Sequence, residues 1–72
     1  MPDDARLSSD WIASFAAHLG VEPPDEQVVA TLLDLAGVAA HASERTAAPI
    51  ACWLVGQAGL SPPAALEIAR QI

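Results

Sequence analysis

The chain has 72 residues, of which 53% are hydrophobic, and its formal net charge is −6. That length suits a single domain, and the hydrophobic content excludes a disordered chain. Nine acidic residues against three arginines oppose the counterion release on which nucleic-acid binding depends, so we expect neither nucleic acid nor an anionic membrane surface as a ligand. The single cysteine, Cys52, excludes an internal disulfide, and with two distant histidines it makes no zinc motif, so we predict no metal and no other cofactor.

The cellular location is predicted from two further features. No apolar run approaches the roughly 20 residues that cross a bilayer. The N-terminus, MPDDARLSS, has two acids before its first arginine and no long apolar core, which is unlike a secretory signal. We therefore expect a cytoplasmic protein with a flexible segment over residues 1–8 and a single helical domain over residues 9–72.

Capping residues and prolines divide the chain into helices. Ser9 is a good N-cap and Gly20 a natural stop in the left-handed conformation, which predicts a first helix over residues 10–19. Pro24 and the two acids that follow it begin a second helix, over residues 25–42.

The last two predicted helices are more apolar. Thr46 can cap a third helix, over residues 46–58, which has no charged or strongly polar side chain at residues 47–55. Ser61 and two prolines begin a fourth, over residues 61–72, whose last turn we expect to be docked because it ends on Ile72. The predicted fold is a compact all-α bundle of four short helices. Its predicted core consists of Phe15, Leu19, Leu32, Leu35, Ile50, Trp53, Leu54 and Leu66.

A polar stripe follows one side of the second helix and continues past its end. Positions three or four residues apart carry Gln27, Thr31, Asp34, Val38, His41 and Arg45. A solvated helix face has this pattern. The stripe also suits a shallow anion site, in which Arg45 binds phosphate or carboxylate, His41 donates a hydrogen bond and Asp34 orients one of them. A third interpretation is structural, with His41 and Arg45 tying the second helix to the loop after it.

Gly37 interrupts the second helix, where glycine costs on the order of 1 kcal/mol relative to alanine. We therefore expect something to approach the backbone closely there, a neighbouring helix rather than a bound group. Cys52 lies in the apolar third helix, so we interpret it as a small hydrophobic residue and not as a nucleophile.

The middle of the chain resembles a known family over residues 33–56. The matching residues are 33–36, 40–41, 44–45, 47–49 and 53–56. They resemble a small domain of unknown function that is associated with molybdenum cofactor guanylyltransferases, either as a separate chain or as a C-terminal segment of the enzyme. Three positions depart from the family's pattern: Gly37 stands where an arginine is expected, Thr46 where a proline is, and Trp53 where a phenylalanine is. Loss of that arginine weakens the anion-site interpretation.

The resemblance implies an accessory role beside the enzyme that joins a guanosine nucleotide to molybdopterin. The sequence has no glycine-rich nucleotide loop and no carboxylate pair placed for magnesium, so we predict a non-catalytic interaction domain and not an enzyme. Its expected partner is a molybdopterin nucleotidyltransferase, bound through apolar surface around Trp11 or the fourth helix, or through acidic surface. The alternatives are an anion-binding module that uses Asp34, His41 and Arg45, and a purely structural domain that forms a homodimer.

Overall fold

The computed structural model describes residues 8–72, which form four α-helices and contain no strand. The helices are α1 (Ser8–Leu19), α2 (Glu26–Ala42), α3 (Ala47–Ala58) and α4 (Pro62–Ala69). The prediction of an all-α bundle of four helices is confirmed. Residues 1–7 of the predicted flexible segment lie outside the described residues, and Ser8 is the first residue of α1.

A glycine ends α1, as the sequence predicts. Gly20 has φ 79°, and its amide donates to the carbonyl of Ala17 at 3.1 Å, while the amide of Val21 donates to the carbonyl of Ala16 at 3.0 Å. This pair of bonds satisfies carbonyls that the last helical turn leaves free. The other end of α1 differs from the prediction, because Ser9 lies inside the helix and does not cap it.

Side chains cap α2 and α4. The Asp25 carboxylate accepts a hydrogen bond from the amide of Val28 at 2.8 Å, so the helix itself begins at Glu26. Ser61 Oγ accepts from the amide of Ala64 at 3.4 Å, with Pro62 as the first helical residue. Each cap satisfies an amide that has no partner within its helix.

Thr46 does not cap α3 with its side chain, which corrects that prediction. Its backbone is already helical, at φ −68° and ψ −16°, and its side chain makes no cap hydrogen bond. The amide of Ala47 instead donates to the carbonyl of Glu44 at 2.9 Å, and the amide of Ala48 to that of Arg45 at 3.1 Å. A hydrogen-bonded turn therefore precedes α3 and satisfies its first amides.

The core is small and lies where α2 meets both α3 and α4. Leu35 of α2 is only 2% exposed and clusters with Ala65 and Leu66 of α4. Half-buried side chains surround this cluster: Val38, Ala51, Cys52, Val55 and Ala69. On α1 the buried residue is Ala16. Cys52 accordingly packs as a small hydrophobic residue.

The structure corrects most of the predicted core. Leu35 and Leu66 are buried and Leu32 is half-buried. The prediction was wrong for five residues, all of which are half or more exposed: Phe15, Leu19, Ile50, Trp53 and Leu54. For the three residues of α3 the reason is geometrical, because α2 covers only one side of that helix and its other apolar side chains stay exposed. Phe15 and Leu19 are exposed because α1 packs only slightly against the other helices.

Two local expectations were also wrong. The helix α4 ends at Ala69, and Ile72 is 95% exposed, so the final turn is not docked. At Gly37, a Cβ atom added to the backbone meets no atom within 4 Å, so no neighbouring helix of the described chain approaches closely there.

We predict that Leu35→Ala lowers the free energy of unfolding by about 3 kcal/mol, because it empties the centre of the core. Leu33→Ala is the matched control: Leu33 is 67% exposed, and its truncation should change the free energy by less than about 0.5 kcal/mol. Urea unfolding of both variants measures the difference. Equal losses in the two variants would contradict the described core.

We predict that Gly37→Ala raises the free energy of unfolding by about 1 kcal/mol, because alanine favours the helix and its methyl group enters open space. That gain corresponds to roughly 4–8 °C in Tm for a domain of this size. The control is Gly59→Ala, which should destabilise, because Gly59 holds φ 69° where an L side chain is strained. Thermal unfolding followed by circular dichroism compares the two, and a lower Tm for Gly37→Ala would show that the site is not open.

Candidate functional site

The polar stripe does not remain on one helix. Asp34 and His41 lie two turns apart on α2, about 10 Å along the axis, whereas Arg45 belongs to the turn between α2 and α3. All three side chains are exposed. Val38, between them in the stripe, packs against the core cluster. The structure therefore places the three candidate residues on the surface, two on a helix and one on the turn that follows it.

Side-chain hydrogen bonds within residues 8–72 are all local. Besides the two caps, His18 Nδ1 donates to the carbonyl of Ser14 at 2.8 Å, and Thr31 Oγ1 donates to the carbonyl of Gln27 at 3.0 Å. None of these bonds includes Asp34, His41 or Arg45. In the same residues, no three histidine, cysteine, aspartate or glutamate side chains converge as metal ligands would. Nor is any helix in that range long and apolar enough to cross a membrane.

An apolar groove lies between α2, α3 and α4, and the sequence interpretation missed it. Its volume is about 270 Å³. Every residue that lines it has an apolar side chain: Leu35, Ala39, Ala51, Leu54, Val55, Ala58, Leu60, Ala65, Ile68, Ala69 and Ile72. The signal that could have revealed it is the segment over residues 46–66, which is rich in apolar residues and contains no charged one.

A second exposed feature is the aromatic face of α1, which we define as Trp11, Phe15 and Leu19. The rings of Trp11 and Phe15 are stacked, with centroids 5.0 Å apart and planes at 29°. Trp11 is 53% exposed and Phe15 50% exposed, although Phe15 was predicted to lie in the core. The stack holds both rings together at the surface of α1.

A third feature joins the outer side of α3 to the groove. Ile50, Trp53 and Leu54 lie on the exposed side of α3, where Trp53 is 62% exposed. Leu54 also lines the groove, whose other exposed large side chains are Leu60, Ile68 and Ile72. These six residues form one continuous apolar region, which we call the α3–α4 surface.

The aromatic face of α1 and the α3–α4 surface differ in the charge of the sequence around them. Residues 8–44 contain six acids and neither lysine nor arginine, so the aromatic face lies in an acidic part of the chain. Residues 46–66, which include α3 and the start of α4, contain no charged residue at all. The aromatic face therefore belongs to an acidic stretch of the sequence, whereas α3 carries no charge and the α4 region carries one charge of each sign, Glu67 and Arg70.

We predict that His41→Ala and Arg45→Ala each change the free energy of unfolding by less than about 0.5 kcal/mol, because both side chains are exposed and neither makes a side-chain hydrogen bond within residues 8–72. The comparison is Asp25→Ala, which removes a formed cap and should cost about 1 kcal/mol. Thermal unfolding measures all three. A loss above about 1 kcal/mol at His41 or Arg45 would support the structural tie between α2 and the following turn.

Comparison with known proteins finds one family. No curated protein and no solved structure matches the chain. A family model does match, over residues 3–71, and its description is a domain of unknown function, DUF6457, which names no activity. Because this match spans nearly all of the 72 residues, the chain belongs to the DUF6457 family.

Proposed function

We propose that this chain is a non-catalytic accessory domain that binds another protein through the aromatic face of α1, and that this partner is a molybdopterin nucleotidyltransferase. The observation that carries the proposal is the stacked and half-exposed pair of Trp11 and Phe15. The energetics of the pair, its charged surroundings and the family resemblance each support one part of it.

The aromatic pair can supply a large share of a binding free energy. Burying the exposed half of one such ring removes on the order of 100 Å² of apolar area from water, which is worth about 2.5 kcal/mol. Tryptophan is among the residues most enriched at the energetic centres of interfaces. Because the two rings already stack on each other, less side-chain freedom is lost when a partner covers them.

The acids around this part of the chain define the complementary partner. With six acids and no lysine or arginine over residues 8–44, the surface attracts a protein that presents arginine or lysine around an apolar pocket. Such complementarity raises the association rate and makes the complex sensitive to salt.

The identity of the partner is supported by the resemblance over residues 33–56 to domains associated with molybdenum cofactor guanylyltransferases. Those residues lie on α2, on the turn that follows it and on most of α3. The enzyme joins a guanosine nucleotide to molybdopterin, and the domain acts beside it by docking and not by catalysis.

We predict that the purified chain binds the purified molybdenum cofactor guanylyltransferase of its own source, and that Trp11→Ala weakens the complex at least about 30-fold, as removal of an interface centre does. Calorimetric titration at 50 mM and 300 mM NaCl measures both the affinity and its salt dependence. The wild-type complex should be weaker at the higher salt concentration, because screening reduces the attraction between an acidic and a basic surface.

The matched control is Trp53→Ala, which removes an equally exposed tryptophan from α3 and should leave the affinity within about threefold. Circular dichroism confirms that both variants fold. Absence of binding at 100 µM wild-type chain would overturn the assignment of the partner. Equal weakening by the two substitutions would overturn the assignment of the face.

A further inference from the structure

We infer that the α3–α4 surface is an interface between two copies of this chain. This surface consists of Ile50, Trp53, Leu54, Leu60, Ile68 and Ile72. It lies on different helices from the aromatic face of α1, so the inference does not depend on the proposed function. Four properties of the surface support it: its continuity, its area, its charge and its shape.

The six residues form one continuous surface because Leu54 lies both on the exposed side of α3 and in the lining of the groove. Trp53 and Leu54 follow Ile50 by three and four residues, so each lies next to Ile50 on the exposed side of α3. Leu54 also lines the groove together with Leu60, Ile68 and Ile72. One partner can therefore cover all six residues at once.

The area of this surface matches what a stable dimer needs. We multiplied the exposed fraction of each of the six side chains by an area of about 150 Å² for an aliphatic residue or about 200 Å² for tryptophan. The products add up to about 600 Å² of exposed apolar surface. That value reaches the upper end of the largest apolar patch on a typical monomer, about 300–600 Å². A standard interface buries about 800 Å² per partner, of which about 65% is apolar in homodimers, or roughly 500 Å².

The charge distribution favours a second copy over an oppositely charged protein at this surface. The helix α3 has no charged residue, and neither does any other residue over 46–66. Although each copy has a net charge of −6, six of its nine acids lie over residues 8–44. Two copies that meet through α3 bring no like charges into direct contact there. The two charged side chains over residues 46–72, Glu67 and Arg70, have opposite signs, so this part of the chain offers a basic partner no net negative charge.

The chemistry of the groove favours a helical occupant over an extended peptide. Its lining side chains include no polar group, so an extended peptide would bury backbone amides and carbonyls without partners. A helix satisfies its own backbone groups, and the same molecule presents one beside the groove, in the exposed side of α3 with Ile50 and Trp53. In a two-fold dimer, the α3 helix of each copy lies against the groove of the other, so the interface contains two identical contacts between a helix and a groove.

Sedimentation velocity of the wild-type chain from 5 to 500 µM tests the inference. We expect a dimer whose proportion rises with concentration, and we expect Trp53→Glu to be monomeric over the whole range. The control is Leu33→Glu, which places the same charge on an exposed leucine of α2 outside the surface and should dimerise as the wild type does. A wild-type chain that stays monomeric at 500 µM, or a Trp53→Glu variant that stays dimeric, would overturn the inference.

A second measurement leaves the surface unchanged and so does not depend on the folding of Trp53→Glu. In the Trp11→Phe variant, Trp53 is the single tryptophan, and its fluorescence should shift to shorter wavelengths as the chain concentration rises. Emission that does not change with concentration would contradict burial of Trp53 between two copies.

The effect of salt concentration on affinity distinguishes this inference from the proposed function. Dimerisation of two copies that each carry −6 should strengthen at least twofold between 50 and 300 mM NaCl, because screening reduces their long-range repulsion. The complex with the nucleotidyltransferase is expected to weaken over the same range. A dimer that weakens with salt would show that charged surface forms the contact and would overturn the assignment to the α3–α4 surface.

Discussion

The burial of Leu35 is the interaction on which the rest of this fold depends. Its side chain is enclosed with Ala65 and Leu66 of α4, and half-buried residues of α3 pack around them. These contacts join the three C-terminal helices, with α2 in contact with each of the other two. Two of the three side chains at the centre of this cluster are leucines and the third is an alanine, so the apolar area that it buries is small for a domain of 72 residues.

A small core on an apolar chain leaves much of the hydrophobic surface in water. The chain is 53% hydrophobic, yet most of its large apolar side chains in the described residues are half-exposed or more. Domains of this size commonly gain stability from oligomers or other partners, since one core at this length supplies only a few kcal/mol. The exposed residues that limit the stability of the monomer are also the ones through which we propose that it associates.

The distribution of charge divides that exposed surface into two kinds. The stacked Trp11 and Phe15 lie in a part of the chain where acids are frequent and lysine and arginine are absent, whereas α3 carries no charge at all. We propose that a different protein with a basic surface binds at the first, and a second copy of the same chain at the second. Because the two surfaces belong to different helices, one molecule can use both together. A dimer that displays two aromatic faces would bind its partner with two sites.

The four helices could be predicted from the sequence, because capping, left-handed glycines and proline positions act over a few residues. Asp25, Ser61, Gly20 and Gly59 illustrate this local control, and Thr46 and Ser9 show that the exact cap still depends on the neighbouring turn. Periodicity also identified Leu35 and Leu66 as core residues. The exposure of Ile50, Trp53 and Phe15, and the groove between three helices, depend on the tertiary packing and could not be predicted from the sequence. The physical reason is that periodicity reports which side of a helix is apolar, whereas burial depends on which neighbour covers that side.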